Sequence, residues 1–344
     1  MSERPMLPLA TARLVLRALR PADAPVIHAY RNDPEAARYQ DWPLPYTMAS
    51  AERLTADQRG IAGPEVGGWV QLGVEQDGEL IGDLAVGLDR TGTTATVGYT
   101  LRPDRWGQGL GSEAVGALAD ALFERGTTRV TATLDPLNLA SARLLERLGF
   151  VYQGRVVGGA FVRGAWVDDD RYAITAAERA AWLARPRTPP ADVRLVEVTD
   201  ANRPRLDALA THHTQERFVA TMADSFADAA DPEIQDGAPV VPWMRAIEAD
   251  GEVAGFLMVA ESRWQGEPPY LWRLLIDRRH QGRGIGRRAL ELLVDRLRAE
   301  GHRRLLTSWV RDIGGPEPFY LGLGFRLTGD IDEGEHVGEL ILAG

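Results

Sequence analysis

The chain repeats itself once. LRPDRWGQGLG at 101–111 aligns with IDRRHQGRGIG at 276–286, and LLERLGF at 144–150 aligns with FYLGLGF at 319–325, both at an offset of 175 residues. Upstream, DGELIG at 77–82 aligns with DGEVAG at 250–255 at an offset of 173. Three landmarks in one order at nearly one offset mean a duplicated unit, which constrains the chain to fold twice. Its 344 residues suit two domains of about 150 each. Between the copies lies ARPRTPPAD at 184–192, whose prolines and lack of apolar periodicity read as a stiff linker. The expected division is a first domain over 1–184, a linker over 185–192 and a second domain over 193–344.

Each copy carries the same order of elements. WVQLGVEQ, Asp77-Gly78 and ELIGDLAVGL read as a β-hairpin, with MRAIEA, Asp250-Gly251 and EVAGFLMVAE as its counterpart. A further strand follows, TATVGYTL at 94–101 or YLWRLLI at 270–276, and then a glycine-rich loop and a helix. Leu290, Leu293, Val294 and Leu297 fall on one helical face, as do Val115, Leu118 and Leu122. Another strand, a short helix and Leu-Gly-Phe close the repeat. This alternation predicts an α/β (α+β) fold, a mixed central sheet flanked by helices in each copy.

Composition removes several chemistries. There is no cysteine, which excludes disulfides, thiolate nucleophiles and Cys-ligated zinc. All 39 basic residues are arginine, so a Walker A lysine and a lysine Schiff base are excluded. The net charge is −10 and neither half is basic, which argues against nucleic acid as a partner. No apolar run reaches the roughly 18 residues of a membrane span, no signal peptide is visible, and no His/Asp spacing suggests a metal. A cytoplasmic location without membrane contact is expected. A homodimer stays open.

A strand that runs into Gly-x-Gly-x-Gly and then a helix is a phosphate site: glycines let backbone N–H groups face the ligand, and the helix N-terminus adds partial positive charge. The dinucleotide pattern needs a third spaced glycine, where these copies have Ser112 and Arg287. What remains is Gln281-Gly282-Arg283-Gly284-Ile285-Gly286. This run resembles the pyrophosphate-binding signature of the GNAT acetyltransferases. The resemblance implies that acetyl-CoA is the co-substrate. It assigns coenzyme binding to Ile276 and residues 281–286 in the second copy, and to Leu101, Trp106, Gly107, Gln108, Gly109, Leu110 and Gly111 in the first. It also implies direct acetyl transfer to an amine, with strand amides polarising the thioester carbonyl.

The copies resemble different branches of that family. The first, through RLVLRAL, GYTLRPDRWGQGLGSEAV, DPLNLASARLLERLGF and DDDRYAITAAERAAW, is similar to the ribosomal-protein N-terminal acetyltransferases. There Asn138 and Ser141 would serve the coenzyme, with Ser141 protonating the departing thiolate; helix capping is the alternative for both. Trp106 stands where the second copy has Gln281, Leu145 where it has Tyr320, and the strand acid used as a base in this branch is absent near Thr96 and Val97. The second copy, through QERFVA, YLWRLLIDRRHQGRGIG, FYLGLGF and TGDIDEGEHV, resembles a group that includes bacterial spermine/spermidine acetyltransferases. Tyr320 then matches a tyrosine that donates a proton to the leaving thiolate; a packing tyrosine beside Phe319 is the alternative.

A cationic amine needs carboxylates for recognition and a base to free its lone pair. Glu216 and Asp224, and Asp330, Asp332, Glu333 and Glu335 near the C-terminus, are the candidates, although a charge run also forms solvated turns. Arg273, a charge inside a strand, reads as the partner of an acid. His212 and His213 read as surface residues. The expected function is acetyl-CoA-dependent N-acetylation of a primary amine on a small cationic metabolite or antibiotic, with the second domain as the catalytic one. A protein N-terminal or lysine acetyltransferase, or domains silent as CoA-binding or scaffold modules, are the alternatives.

Overall fold

The computed structural model describes residues 5–231, 234–235, 238–261 and 268–342; residues 1–4, the start of the segment read above as carrying no signal peptide, lie outside them. The chain divides into two compact units, Met1–Ala184 and Arg185–Gly344.

In the first unit the chain runs β1 (Leu9–Ala10), β2 (Val15–Ala18), α1 (Ala24–Arg31), α2 (Pro34–Ala37), α3 (Met48–Asp57), β3 (Trp69–Gln76), β4 (Glu79–Leu88) and β5 (Thr94–Leu101). It continues α4 (Leu110–Glu124), β6 (Arg129–Leu134), α5 (Leu139–Arg147), β7 (Val151–Val162), β8 (Ala165–Thr175) and α6 (Ala176–Ala184). The eight strands form one sheet in the order β1-β2-β3-β4-β5-β6-β8-β7. Among the described strands of this unit only β5 and β6 pair with each other in parallel, because α4 carries the chain back across the sheet between them.

The second unit runs β9 (Val193–Glu197), α7 (Arg203–Asp207), α8 (Met222–Ala230), β10 (Ile234–Gln235), β11 (Ala238–Pro239), β12 (Val241–Ala249), β13 (Glu252–Glu261) and β14 (Tyr270–Ile276). Then come α9 (Ile285–Ala299), β15 (Arg304–Trp309), α10 (Glu317–Leu321), β16 (Arg326–Asp332) and β17 (Glu335–Ile341). Its seven-stranded sheet has the order β16-β17-β15-β14-β13-β12-β9, again with one parallel pair, β14 and β15. Both units are thus mixed sheets flanked by helices, as the alternation of patterns predicts. Residues 185–192, read above as a stiff linker, fall within the second unit: Ala191 and Asp192 donate their backbone N–H groups to Asp250 Oδ1.

The hairpins follow from two-residue turns with both residues at positive φ, the geometry that matches strand twist. Asp77-Gly78 (φ 50° and 84°) and Asp250-Gly251 (51° and 83°) close the hairpins read from sequence. Glu333-Gly334 (47° and 87°) turns β16 into β17, so the acidic run near the C-terminus is a hairpin end rather than a loose loop. Helix α9 buries Leu290, Leu293, Val294 and Leu297, and α4 buries Val115, Leu118 and Leu122, each face against its own sheet. A fully buried leucine contributes roughly 1.5–3 kcal/mol, so each stripe fixes its helix, and with it the loop that precedes the helix.

Two features prepare a cleft. The parallel pairing is short: β5 meets β6 only from Thr94 to Thr96, and β14 meets β15 only at Tyr270 and Leu271. Beyond those residues the ladders stop, although the strands run on. The second feature separates the units. β4 and β5 pair in unbroken register, whereas β13 and β14 slip by one residue between Met258 and Val259, leaving Trp272 as an extra residue in β14. Such a bulge bends its strand and increases the local twist. It lies in the segment of β14 that has just left β15.

Candidate acyl-coenzyme site

The glycine loops of the two units have one backbone geometry. Gly107 and Gly109 have φ of 73° and 75°, and Gly282 and Gly284 have 75° and 79°; Gly109 and Gly284 are the N-cap residues of α4 and α9. A side chain is strained at such φ, so glycine is required by conformation. Nothing lies within 4 Å of where a Cβ would stand on Gly107, Gly282 or Gly284, so the loops border open space. The third glycine serves packing: a Cβ on Gly111 would meet Leu144 Cδ1 at 2.8 Å, and one on Gly286 would meet Phe319 Cζ at 3.3 Å. Leu110 and Ile285 turn their side chains into the cores, so what they offer a ligand is backbone N–H at a helix start. Gln108 is exposed, with its carbonyl bonded by Arg13 Nη1.

Trp106 and Gln281 do the same local work with different chemistry. Trp106 Nε1 donates to Leu101 O at 2.8 Å, and Gln281 Nε2 donates to Ile276 O at 3.0 Å. Each ties the loop to the last carbonyl of the strand before it. Gln281 is also paired amide to amide with Gln215, at 2.9 and 3.2 Å, which fastens the 213–218 turn to the loop.

In the second unit a cavity of about 1070 Å³ runs from this loop along the diverging strands. Ile276, Gln281, Gly282, Gly284, Ile285 and Gly286 line one part, and Trp272, Arg273 and Leu274 follow along β14. Thr307, Ser308 and Tyr320 line the far side, and Glu216, Asp228, Asp231, Asp332, Glu333 and Glu335 add six carboxylates. Of the lining arginines, Arg273 pairs with Asp228 at 2.7 Å and Arg217 pairs with Asp312 at 2.6 Å. The pairing of Arg273 with an acid is the one expected of a charge in a strand.

Tyr320 combines both readings made of it. Its ring stacks on Trp309 (centroids 5.1 Å, 17°) and meets Phe319 and Phe325 edge-on, and the residue is 7 % exposed. Its hydroxyl is hydrogen-bonded with Thr307 at the end of the β14–β15 ladder. Burial, opposed by that hydrogen bond and assisted by the charge of Glu335, pushes the phenol up to about 12. The group therefore holds its proton across ordinary pH.

Three expected residues are not brought into the cavity: Asp330, which is exposed on β16, Arg283 and Asp224. The Arg283 side chain is buried behind the loop, where Nε donates to Thr188 O at 2.8 Å, Nη1 lies 3.0 Å from His280 Nδ1 and Nη2 lies 3.6 Å from Asp250. With its side chain buried and engaged there, Arg283 can serve a ligand only through its backbone. Asp224 accepts from the Thr221 hydroxyl at 2.6 Å in a capping box at the start of α8. Asp228, one turn further on, takes the place expected of Asp224 at the cavity, a shift that follows from the helix register. Glu216 is at the cavity and bonds His213 Nδ1 at 2.7 Å. His212 and His213 are half-buried rather than surface residues; burial, then Arg278 and Arg185, lower His212 to about 4.

In the first unit Asn138 caps α5, accepting from Ser141 N at 3.1 Å, which is the capping side of its alternative. Ser141 Oγ lies 2.6 Å from Tyr99 Oη, and Tyr99 belongs to the part of β5 beyond the last pair with β6. Burial raises the Tyr99 phenol. Leu145 is fully buried where the second unit has Tyr320. In the sequence Tyr99 is an ordinary strand aromatic of TATVGYTL, because its hydroxyl partner comes from another element.

A splayed parallel pair, a glycine loop that opens a helix between the two strands, and a cavity joining them define a class of protein whose loop amides suit a phosphate-bearing ligand. Comparison with known proteins places this class. "Acetyltransferase (GNAT) domain" matches residues 13–151 and "Acetyltransferase (GNAT) family" matches residues 206–325. The chain is 30 % identical over 175 residues to the uncharacterised N-acetyltransferase p20 of Bacillus licheniformis, covering 50 % of this chain and 98 % of that protein. It is 28 % identical over 170 residues to the uncharacterised N-acetyltransferase YoaA of Bacillus subtilis, covering 48 % and 95 %. Among solved structures it is similar to Mycobacterium smegmatis RimJ in complex with CoA-disulfide, at 26 % identity and a TM-score of 0.44, covering 51 % and 91 %. The chain belongs to the GNAT acetyltransferase family, as two such domains in tandem, and is an acetyl-CoA-dependent N-acetyltransferase. No helix among the described residues is long and apolar enough to cross a membrane.

Proposed function

We propose that the second unit carries the principal activity and acetylates a primary amine of a small cationic metabolite or antibiotic. One observation carries this reading: a single cavity continues from the glycine loop of that unit to six carboxylates, which outnumber its three lining arginines. A cationic amine is drawn to such a lining, where low-dielectric walls strengthen its field. Coenzyme A would lie with its pyrophosphate on the backbone N–H groups at Gly282–Gly286 and its pantetheine arm along the bulged end of β14. The amine attacks the acetyl carbonyl directly, and Tyr320 gives a proton to the departing sulfur. A phenol held to Thr307 and kept protonated by burial suits that step.

Thiol release from acetyl-CoA, followed with polyamines, aminoglycosides and short peptides as acceptors, tests the proposal. Turnover confined to small polycations is the expected result. Turnover with peptides alone would refute the small-amine reading. A second reading, protein N-terminal acetylation by the first unit, is favoured by the Tyr99–Ser141 hydroxyl pair at its own diverging strands.

A further inference from the structure

The reaction needs a base, since an alkyl ammonium with a pKa of about 10 exposes its lone pair in only about one molecule per thousand at pH 7. In the second unit β15 leaves β14 after Leu271 pairs with Thr307, and the next residue, Ser308, lines the cavity where the strands begin to part. Its hydroxyl donates to Glu335 Oε2 at 2.5 Å, from β15 to the first residue of β17, two residues before the ladder partner Val337. The Ser308 proton is thereby directed at the carboxylate, and of the oxygen's two lone pairs one meets Tyr270 and one is left for a donor in the cavity. Tyr270 hydrogen-bonds with Ser308 and lies 3.5 Å from Asp332 Oδ2, so the hydroxyl is also held from the β14 side. Tyr320 stands beside the same gap and senses the charge of Glu335.

Resting on the reading of this cavity as the acceptor site, we propose that Ser308 receives the acceptor's ammonium group and passes its proton to Glu335, which is the base of the reaction. In this step R–NH3+ gives one proton to Ser308 Oγ as the Ser308 proton moves to Glu335. The freed nitrogen lone pair forms the N–C bond, the C–S bond breaks, and the sulfur leaves with the bonding electrons. Tyr320 gives its proton to the departing sulfur and is restored by the second proton lost from the attacking nitrogen, and Glu335 returns its proton to solvent. Ser308 touches the substrate; Glu335 acts through it. The ionisable groups facing Glu335 are Tyr270 from β14, Asp332 from β16 and Tyr320 from α10, with Glu333 and His336 beside it on its own hairpin.

The test uses the full chain, acetyl-CoA and a series of primary amines of graded basicity, with turnover that survives Gly284→Val subtracted. Glu335→Gln keeps an acceptor for the Ser308 hydroxyl and cannot take a proton. It is expected to lower kcat/KM at pH 7 by about 100-fold or more. That deficit should shrink about tenfold per pH unit toward pH 10, and should be smallest for the least basic amine. Glu335→Asp should restore part of the rate, and Ser308→Ala should show the same pH signature with a smaller drop. A Glu335→Gln loss below threefold, or a loss equal at every pH and with every amine, overturns the assignment. Should Glu335→Gln fail to fold, Ser308→Ala decides by the same criteria. If the unaltered chain turns over no amine, the small-amine reading of the cavity falls together with this one, whereas an insensitive Glu335→Gln overturns the base alone.

Discussion

Replacement of Tyr320 by phenylalanine separates a proton donor from a packing residue. The ring would remain in its cluster with Trp309, Phe319 and Phe325, so the volume of the core is conserved. What is lost is one hydroxyl and its hydrogen bond with Thr307. Thr307 keeps an acceptor, because its Oγ1 donates to Leu271 O at 3.0 Å, and no donor is orphaned. The cost in folding stability is therefore that of one ordinary hydrogen bond, about 1 kcal/mol. The cost in turnover is set by general acid catalysis, about 10²–10⁴-fold, or roughly 3–5 kcal/mol in the barrier. KM for acetyl-CoA should change less than twofold, because the hydroxyl meets the sulfur only as it departs. Because the phenol is pushed up to about 12, the rate of the unaltered unit should show no alkaline decline from this group below about pH 11. Thiol release gives kcat and KM, and urea denaturation gives the stability. A kcat within threefold of the unaltered chain, with the expected stability loss, would refute the role of Tyr320 as acid and leave it as packing.

Ser141→Ala should reduce total turnover less than Tyr320→Phe does; the reverse order, in the same thiol assay, would move the principal activity to the first unit. Gly284→Val places a branched side chain at φ 79° in the loop, with open space rather than a clash around it; the strain at the phosphate-facing backbone should abolish coenzyme A binding by the second unit in calorimetry. For His212 the folded-state value is depressed from 6.5 to about 4, so the unfolded chain binds the extra proton first. The stability this group contributes is present above about pH 6.5 and is lost as pH falls toward 4, by roughly 3 kcal/mol at most. Urea midpoints measured from pH 7 to 4 should fall less steeply for His212→Gln.

The duplication, the hairpins with Asp-Gly turns, the apolar helix faces and the two glycine loops were all legible in the sequence, because each is written in neighbouring residues. Positive φ at Gly107, Gly109, Gly282 and Gly284 is a local requirement that glycine announces. The cavity's chemistry was only partly legible. The candidates Glu216, Glu333 and Glu335 reach it, while Asp224 does not and Asp228 does, since one turn of helix decides which carboxylate faces the strands. Arg283 falls within the run 281–286 assigned to the coenzyme, yet its partners Thr188 and Asp250 are remote in sequence and draw its side chain inward.

What the sequence by itself determined is that this chain folds twice around an acyl-coenzyme loop and that the copies differ at Trp106 and Gln281 and at Leu145 and Tyr320. Only the tertiary structure decided what those differences mean. Trp106 and Gln281 prove equivalent, each binding the last carbonyl of its strand. A further difference is the bulge at Trp272, where β14 gains a residue against β13 while β5 stays in register with β4. A register slip depends on how two strands meet, and neither strand carries it alone.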